Sequence, residues 1–131
     1  MIDHVSVGVR LLDEAARFYE AVLKPIGYSR LVSRPNSIGF GDRYAVFWIN
    51  SRPEMPAVYE NTGCHICLRA KGAESVDEFH RLALIHGGHD DGAPGVRHYS
   101  KASVYAGFIR DPDGNRIEVL TLLPQDSSNR G

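Results

Sequence analysis

Cysteine is scarce in this chain: of 131 residues only Cys64 and Cys67 carry a thiol, with no second pair to complete a zinc site. They spell C-H-I-C, but GCHICLRA has the character of a strand, where residues three apart point to opposite faces. A shared metal or a redox pair is thereby disfavoured, and both are expected to be small buried hydrophobes. Runs of one charge are absent too. The 15 basic and 16 acidic side chains leave a formal charge of −1. That argues against nucleic acid or an anionic membrane surface as the main partner, since both demand clustered Lys and Arg. No apolar stretch approaches the roughly 20 residues of a membrane span. No low-complexity tract interrupts a composition that is 43% hydrophobic and 24% charged. The opening residues IDHVSVGV already carry a strand pattern and leave no room for a secretion signal, so the expected compartment is the cytoplasm. What remains is one globular domain, expected over residues 1–124, with the polar stretch 125–131 a frayed tail.

Hydrophobic periodicity divides the chain into short elements. Residues 2–9 alternate, with Val5, Val7 and Val9 on one face and His4, Ser6 and Gly8 on the other. Residues 12–24 have helical spacing: Leu12, Ala15, Ala16, Tyr19 and Leu23 form an apolar stripe, and Asp13 sits in the first turn or at its cap. Lys24-Pro25 ends the helix and Gly27 opens the next turn. Strands are predicted at about 28–33, 36–41 and 44–50, followed by a proline-bearing connector over 51–61. A strand at 63–70 and a helix at 74–87 come next, the helix opening on the capping-box pattern Ser75-x-x-Glu78. HGGHDDGAPG is expected to be an irregular loop, its GAPG either an anion nest or plain loop. Residues 103–110 and 115–122 are predicted strands joined by the turn Asp111-Pro112-Asp113-Gly114-Asn115.

The pattern repeats. A shift of 61 places His4 on His65, Phe18 on Phe79, Leu23 on Leu84 and Gly27 on Gly88. Val5, Val7 and Val9 fall on Ile66, Leu68 and Ala70. The chain therefore reads as α+β, two βαβββ modules of about 1–50 and 62–122 forming a curved mixed sheet.

Strand alternation then selects three polar residues. His4 points away from Val5 and Val7, His65 away from Ile66 and Leu68, and Glu118 away from Ile117 and Val119. Two imidazoles and a carboxylate on one concave surface form a metal site with open positions, suited to Fe, Mn, Zn or Ni. A lone histidine on a strand is ordinarily a core or surface residue. Two at repeat-equivalent positions, with a carboxylate on the matching face, are better explained as ligands.

HVSVGV, FYEAVLKPIGY, the second His-bearing strand and above all DPDGNRIEV carry a strong resemblance to the vicinal oxygen chelate superfamily. That superfamily includes glyoxalase I, extradiol dioxygenases, fosfomycin-resistance thiol transferases and bleomycin-resistance proteins. The resemblance covers about residues 1–122 and implies paired βαβββ modules curved around a divalent metal, often in a homodimer. It maps the ligands onto His4, His65 and Glu118. Glyoxalase I uses a fourth protein ligand on the last strand of its first module, whereas YAVFWIN offers Phe47, Trp48 and Asn50 but no acid. Fosfomycin-resistance enzymes carry a hydroxyl two residues after the first His, matched by Ser6, and an aromatic before the DPDG turn, matched by Tyr105. Extradiol dioxygenases use a further His and Tyr, parts open to His98 and Tyr105.

The expected function is a metal-dependent enzyme acting on a small oxygenated substrate, by lyase or isomerase, oxygenase or thiol-transferase chemistry. Glu118, Tyr105 and Ser6 are the candidate catalytic residues; Trp48, Phe47, Arg69 and His98 are candidate substrate contacts. Most have a plainer alternative: a solvated pair with Arg116 for Glu118, core for Trp48 and Phe47, packing for Tyr105, a merely small side chain at Ser6, solvent for Arg69. His80, His86 and His89 are expected to face solvent. The competing function is a drug-sequestering cup like the bleomycin-resistance proteins, against which the complete ligand set argues. Whether the ligands meet within one chain or across a module-exchanging dimer stays open.

Overall fold

A computed structural model of the chain describes residues 1–124, so the predicted tail lies outside the described residues. The first module runs β1 (Val5–Val9), α1 (Leu12–Leu23), a short 3-10 turn (Lys24–Ile26), β2 (Ser29–Ser33), β3 (Ser37–Gly41) and β4 (Ala45–Ser51). The second runs β5 (Ile66–Arg69), α2 (Ala73–Ile85), β6 (His89–His98), β7 (Ser103–Arg110) and β8 (Arg116–Leu122). Each module makes its own four-stranded mixed sheet, ordered β1-β4-β3-β2 and β5-β8-β7-β6, in which only the first strand is parallel to its neighbour. No helix of the described residues is long and apolar enough to cross a membrane.

Helix α1 forms where its apolar residues recur every three to four positions, and Asp13 and Glu14 in its first turn offset the helix dipole. It buries Ala15, Ala16, Phe18, Tyr19, Val22 and Leu23. Tyr19 packs between Phe18 and Phe47, with ring centroids 5.0 and 4.9 Å apart. Helix α2 buries Val76, Phe79 and Ala83. The two helices pack against each other, and the apolar faces of both sheets share one core, from Val9 and Phe40 to Ile117 and Val119. The polar face of each sheet consequently points away from that core.

The DPDG turn fastens the modules together. Buried Asp111 accepts hydrogen bonds from the backbone N–H groups of Asp113 and Asn115, from Asn115 Nδ2 and from the Tyr19 hydroxyl. Asp113 receives the Arg10 N–H and Nε, and Asn115 Nδ2 also donates to the Gly8 carbonyl. The string that looked like a simple turn is thus a cross-module clamp.

Four expectations change. HDDGAPGVRH is the edge strand β6, not an irregular loop; bulges between Asp90 and Gly95 absorb its Gly and Pro while β7 supplies the ladder. The capping box does not form, because α2 begins at Ala73 with Gly72 as N-cap and Ser75 already inside. The left-handed position after each helix belongs to Gly27 (φ 88°) and Gly87 (φ 100°), so the repeat slips by one residue along α2. Leu84 is accordingly exposed, whereas Leu23 is buried.

Candidate functional site

The first sheet presents one half of the predicted site. Ser6 pairs with Trp48 in the β1–β4 ladder, so both project from the face opposite Val5, Phe47 and Ile49. His4 immediately precedes β1 on that side and lies 2.7 Å from Asp3 through Nδ1. Asn50 Nδ2 donates to Ser6 Oγ at 2.7 Å and to the Val7 carbonyl at 3.0 Å. Gly39 lies beneath Trp48: a Cβ there would stand 3.0 Å from the indole and 2.7 Å from the Ala45 Cβ, so only glycine lets the ring lie flat. Asp3, His4, Ser6, Arg34, Ser37, Ala45 and Trp48 line a cleft of about 410 Å³, within the range of small-molecule sites.

The second sheet presents the other half. Glu118, on a strand flanked by β5 and β7, pairs with Cys67 on one side and Phe108 on the other. His65 precedes β5 on the same face, with Nε2 2.9 Å from Glu118 Oε1. The His65 side chain is 37% exposed and that of Glu118 only 7%. At Cys67, loss of solvation first, then the neighbouring Glu118 carboxylate, pushes the thiol up to about 12 against the pull of Arg69. Arg69 shares this face and is exposed. Arg116 stacks on Phe108 at 4.3 Å while its Nε engages Asp91 at 2.6 Å.

The ladders make the modules' equivalence explicit. Ser6–Trp48 and Cys67–Glu118 are corresponding pairs, so Trp48 stands where the second module has its carboxylate. The absence of an acid in YAVFWIN is therefore an absence at the equivalent position. One chain nevertheless keeps the two halves on separate sheets. His65 and Glu118 are together, His4 is not with them, and among the described residues no three potential ligands cluster.

Other predicted residues lie elsewhere. Phe47 is fully buried against Tyr19, on the core side of β4. Tyr105 shares the helix-facing side of β7 with Ile109, and its hydroxyl donates to Asp77 of α2 at 2.5 Å. His98 ends the β6–β7 hairpin, Nδ1 3.0 Å from Ser103 Oγ, off the Glu118 face. His86 and His89 are exposed as expected. His80, expected to face solvent, is 9% exposed and 2.8 Å from Asp90. Both cysteines, expected to be buried, are exposed: Cys67 because the polar face of its sheet is not covered by the described residues, and Cys64 because it lies in the connector ahead of β5. Sequence reasoning passed over Cys67, whose parity with His65 was the available signal, and Arg34, whose place on a hairpin left none.

A larger cavity, about 680 Å³, lies against the DPDG turn and is not this site. Its four aspartates are already engaged: Asp91 by Arg110 and Arg116, Asp90 by His80, Asp111 by Tyr19 and Asn115, and Asp113 by Arg10. His65 and Glu118, by contrast, suit a divalent ion. Two donors each about 2.1 Å from one ion at a right angle stand about 3.0 Å apart, close to the 2.9 Å observed. The imidazole–carboxylate chemistry fits Fe, Mn, Zn or Ni.

Two linked βαβββ modules, each offering a histidine immediately before its first strand, define a class of small paired-module α+β proteins. The chain belongs to the Glyoxalase/Bleomycin resistance protein/Dioxygenase superfamily, whose family model matches residues 1–119. It is similar to a glyoxalase/bleomycin resistance protein from Albidiferax ferrireducens (28% identity, TM-score 0.81, covering 91% of this chain and 97% of that one). The fold is shared with a lactoylglutathione lyase from Agrobacterium tumefaciens (20% identity, TM-score 0.62, 92% of each chain). It is also shared with the fosfomycin resistance protein FosX from Listeria monocytogenes (16% identity, TM-score 0.66, 100% and 98%). No curated protein matches the sequence.

Proposed function

We propose that the chain is a divalent-metal-dependent enzyme working as a homodimer, with His4 of one subunit joining His65 and Glu118 of the other. The observation that carries this reading is the equivalence of His4 and His65 on the polar faces of two sheets that a single chain keeps apart. Strands β1 and β5 are both sheet edges, each with one side of its backbone unpaired among the described residues. Joining them across a two-fold axis would unite the two faces into one curved sheet, twice per dimer. When bound, the ion would polarise a substrate oxygen and stabilise negative charge developing there.

The chain's own groups do the rest. Glu118 is buried beside His65 and Cys67, where it would help hold the ion and accept a proton from the substrate. Ser6 and Asn50 offer a hydroxyl and an amide, Trp48 walls the cleft, and Arg69 stands at the rim of the Glu118 face. Tyr105, Phe47 and His98 have no part in it, because they leave the polar face. Lyase or isomerase chemistry on a small oxygenated molecule is the preferred reaction class, supported by the similarity to a lactoylglutathione lyase. Two free, exposed thiols fit a reducing cytoplasm.

Metal analysis tests the reading. Protein purified without chelators should hold about one divalent ion per chain, and His65→Ala should release it. Protein that holds no ion and takes up none on titration refutes the enzyme and favours the sequestering cup, whose cleft would then bind its ligand without metal.

A further inference from the structure

Two arginines lie over aromatic rings that line the polar faces, and only one of them is neutralised. Arg116 over Phe108 is paired with Asp91. Arg34 lies over Trp48 at 5.0 Å, and among the described residues it has no carboxylate partner. Its backbone is fixed by the tight β2–β3 turn, where the Arg34 N–H donates to the Ser37 carbonyl, and the turn is tied down by the Ser51 N–H on the Asn36 carbonyl. The indole in turn is seated flat by Gly39. A guanidinium lying over an aromatic ring is held there by cation–π attraction, while its N–H groups stay available to oxygen acceptors. The cleft they open on also carries the Ser6 and Ser37 hydroxyls, and its one carboxylate, Asp3, is engaged by His4.

We infer that Arg34 on Trp48 is an oxyanion clamp, and that the ligand of this cleft carries a carboxylate or phosphonate group. A planar fork meets two oxygens of one such group at once, where a lysine would meet them only as a point charge. The placement beside His4 rests on the metal reading: the ion would take the oxygenated end of the ligand, and Arg34 its anionic end. The equivalence of Trp48 with Glu118 gives the pairing a physical sense. An acid at position 48 would repel the group that Arg34 attracts, whereas the indole supplies the face that orients the guanidinium.

Trp48 is the only tryptophan of the chain, so its emission reports this cleft alone. Chelator-treated protein is titrated with propionate, with methylphosphonate and with uncharged propionamide at constant ionic strength. The expected result is a saturable change with at least one anion and none with the amide. In Arg34→Gln the apparent affinity should fall at least about tenfold, and Arg34→Lys should recover only part of it. The stronger of the two anions identifies the headgroup. Emission that answers to neither anion, answers equally to the amide, or is unchanged in Arg34→Gln overturns the clamp and leaves Arg34 a solvated cation. Metal binding is measured in the same preparations. Loss of the metal reading with a persisting anion response, or the reverse, shows which of the two has failed.

Discussion

A site divided between subunits makes a demand that a site within one chain does not. His4→Ala removes one half of the proposed centre and His65→Ala the other. Either change made in both subunits should weaken metal binding by at least about 100-fold, since even loss of a group that only orients a ligand costs 10–100-fold. In a mixed dimer the His4→Ala subunit still contributes His65 and Glu118, and the His65→Ala subunit still contributes His4. One complete site is rebuilt and the other loses both histidines. Co-expression under two different tags and sequential purification isolates that mixed dimer, and equilibrium dialysis against Zn²⁺ or Mn²⁺ counts its sites. The expected value is about one tight site per dimer against about two in the wild type. His65→Ala paired with Glu118→Ala is the control: both changes strike the same half, so that dimer should bind none. Metal binding absent from the His4→Ala/His65→Ala dimer, unimpaired in the His4→Ala homodimer, or accompanied by a monomeric wild type would refute the division of the site.

Two further predictions concern the clamp that joins the modules. Asp111→Ala strips four hydrogen bonds from a buried carboxylate and leaves the Tyr19 hydroxyl without its acceptor. The cost should be roughly 3–5 kcal/mol, read as a lowered urea midpoint; a loss below about 1 kcal/mol would reduce the clamp to an ordinary surface turn. Tyr19 adds an alkaline signature: burial first, then the Asp111 carboxylate, raises its hydroxyl well above the usual value. The folded state then keeps a proton that the unfolded state gives up from about pH 10. The stabilisation is complete below that pH and lost as pH rises toward the folded value. Stability of the wild type should therefore fall more steeply above pH 10 than that of Tyr19→Phe, and parallel curves would contradict the assignment.

Alternation along a strand is a property of neighbouring residues, which is why the sequence alone determined so much here. The sides taken by Val5 and Ser6, by Ile117 and Glu118 and by Cys67 and Leu68 follow from a period of two. The apolar stripe of α1 follows equally from its period of 3.6. The correspondence of His4 with His65 needed only the comparison of one half of the chain with the other. Strand β6 was hidden because its Asp, Gly and Pro residues have poor strand propensity, and its ladder is supplied by β7. Burial of His80 depends on Asp90 across α2 and β6, and exposure of Cys67 on what the chain leaves uncovered. Arg34 meets Trp48 only because β3 pairs with β4 and brings the β2–β3 turn beside Trp48. Above all, the tertiary structure decided that the faces bearing His4 and Glu118 turn away from a shared core onto separate sheets. That depends on which apolar face packs against which, a long-range choice that no local period encodes.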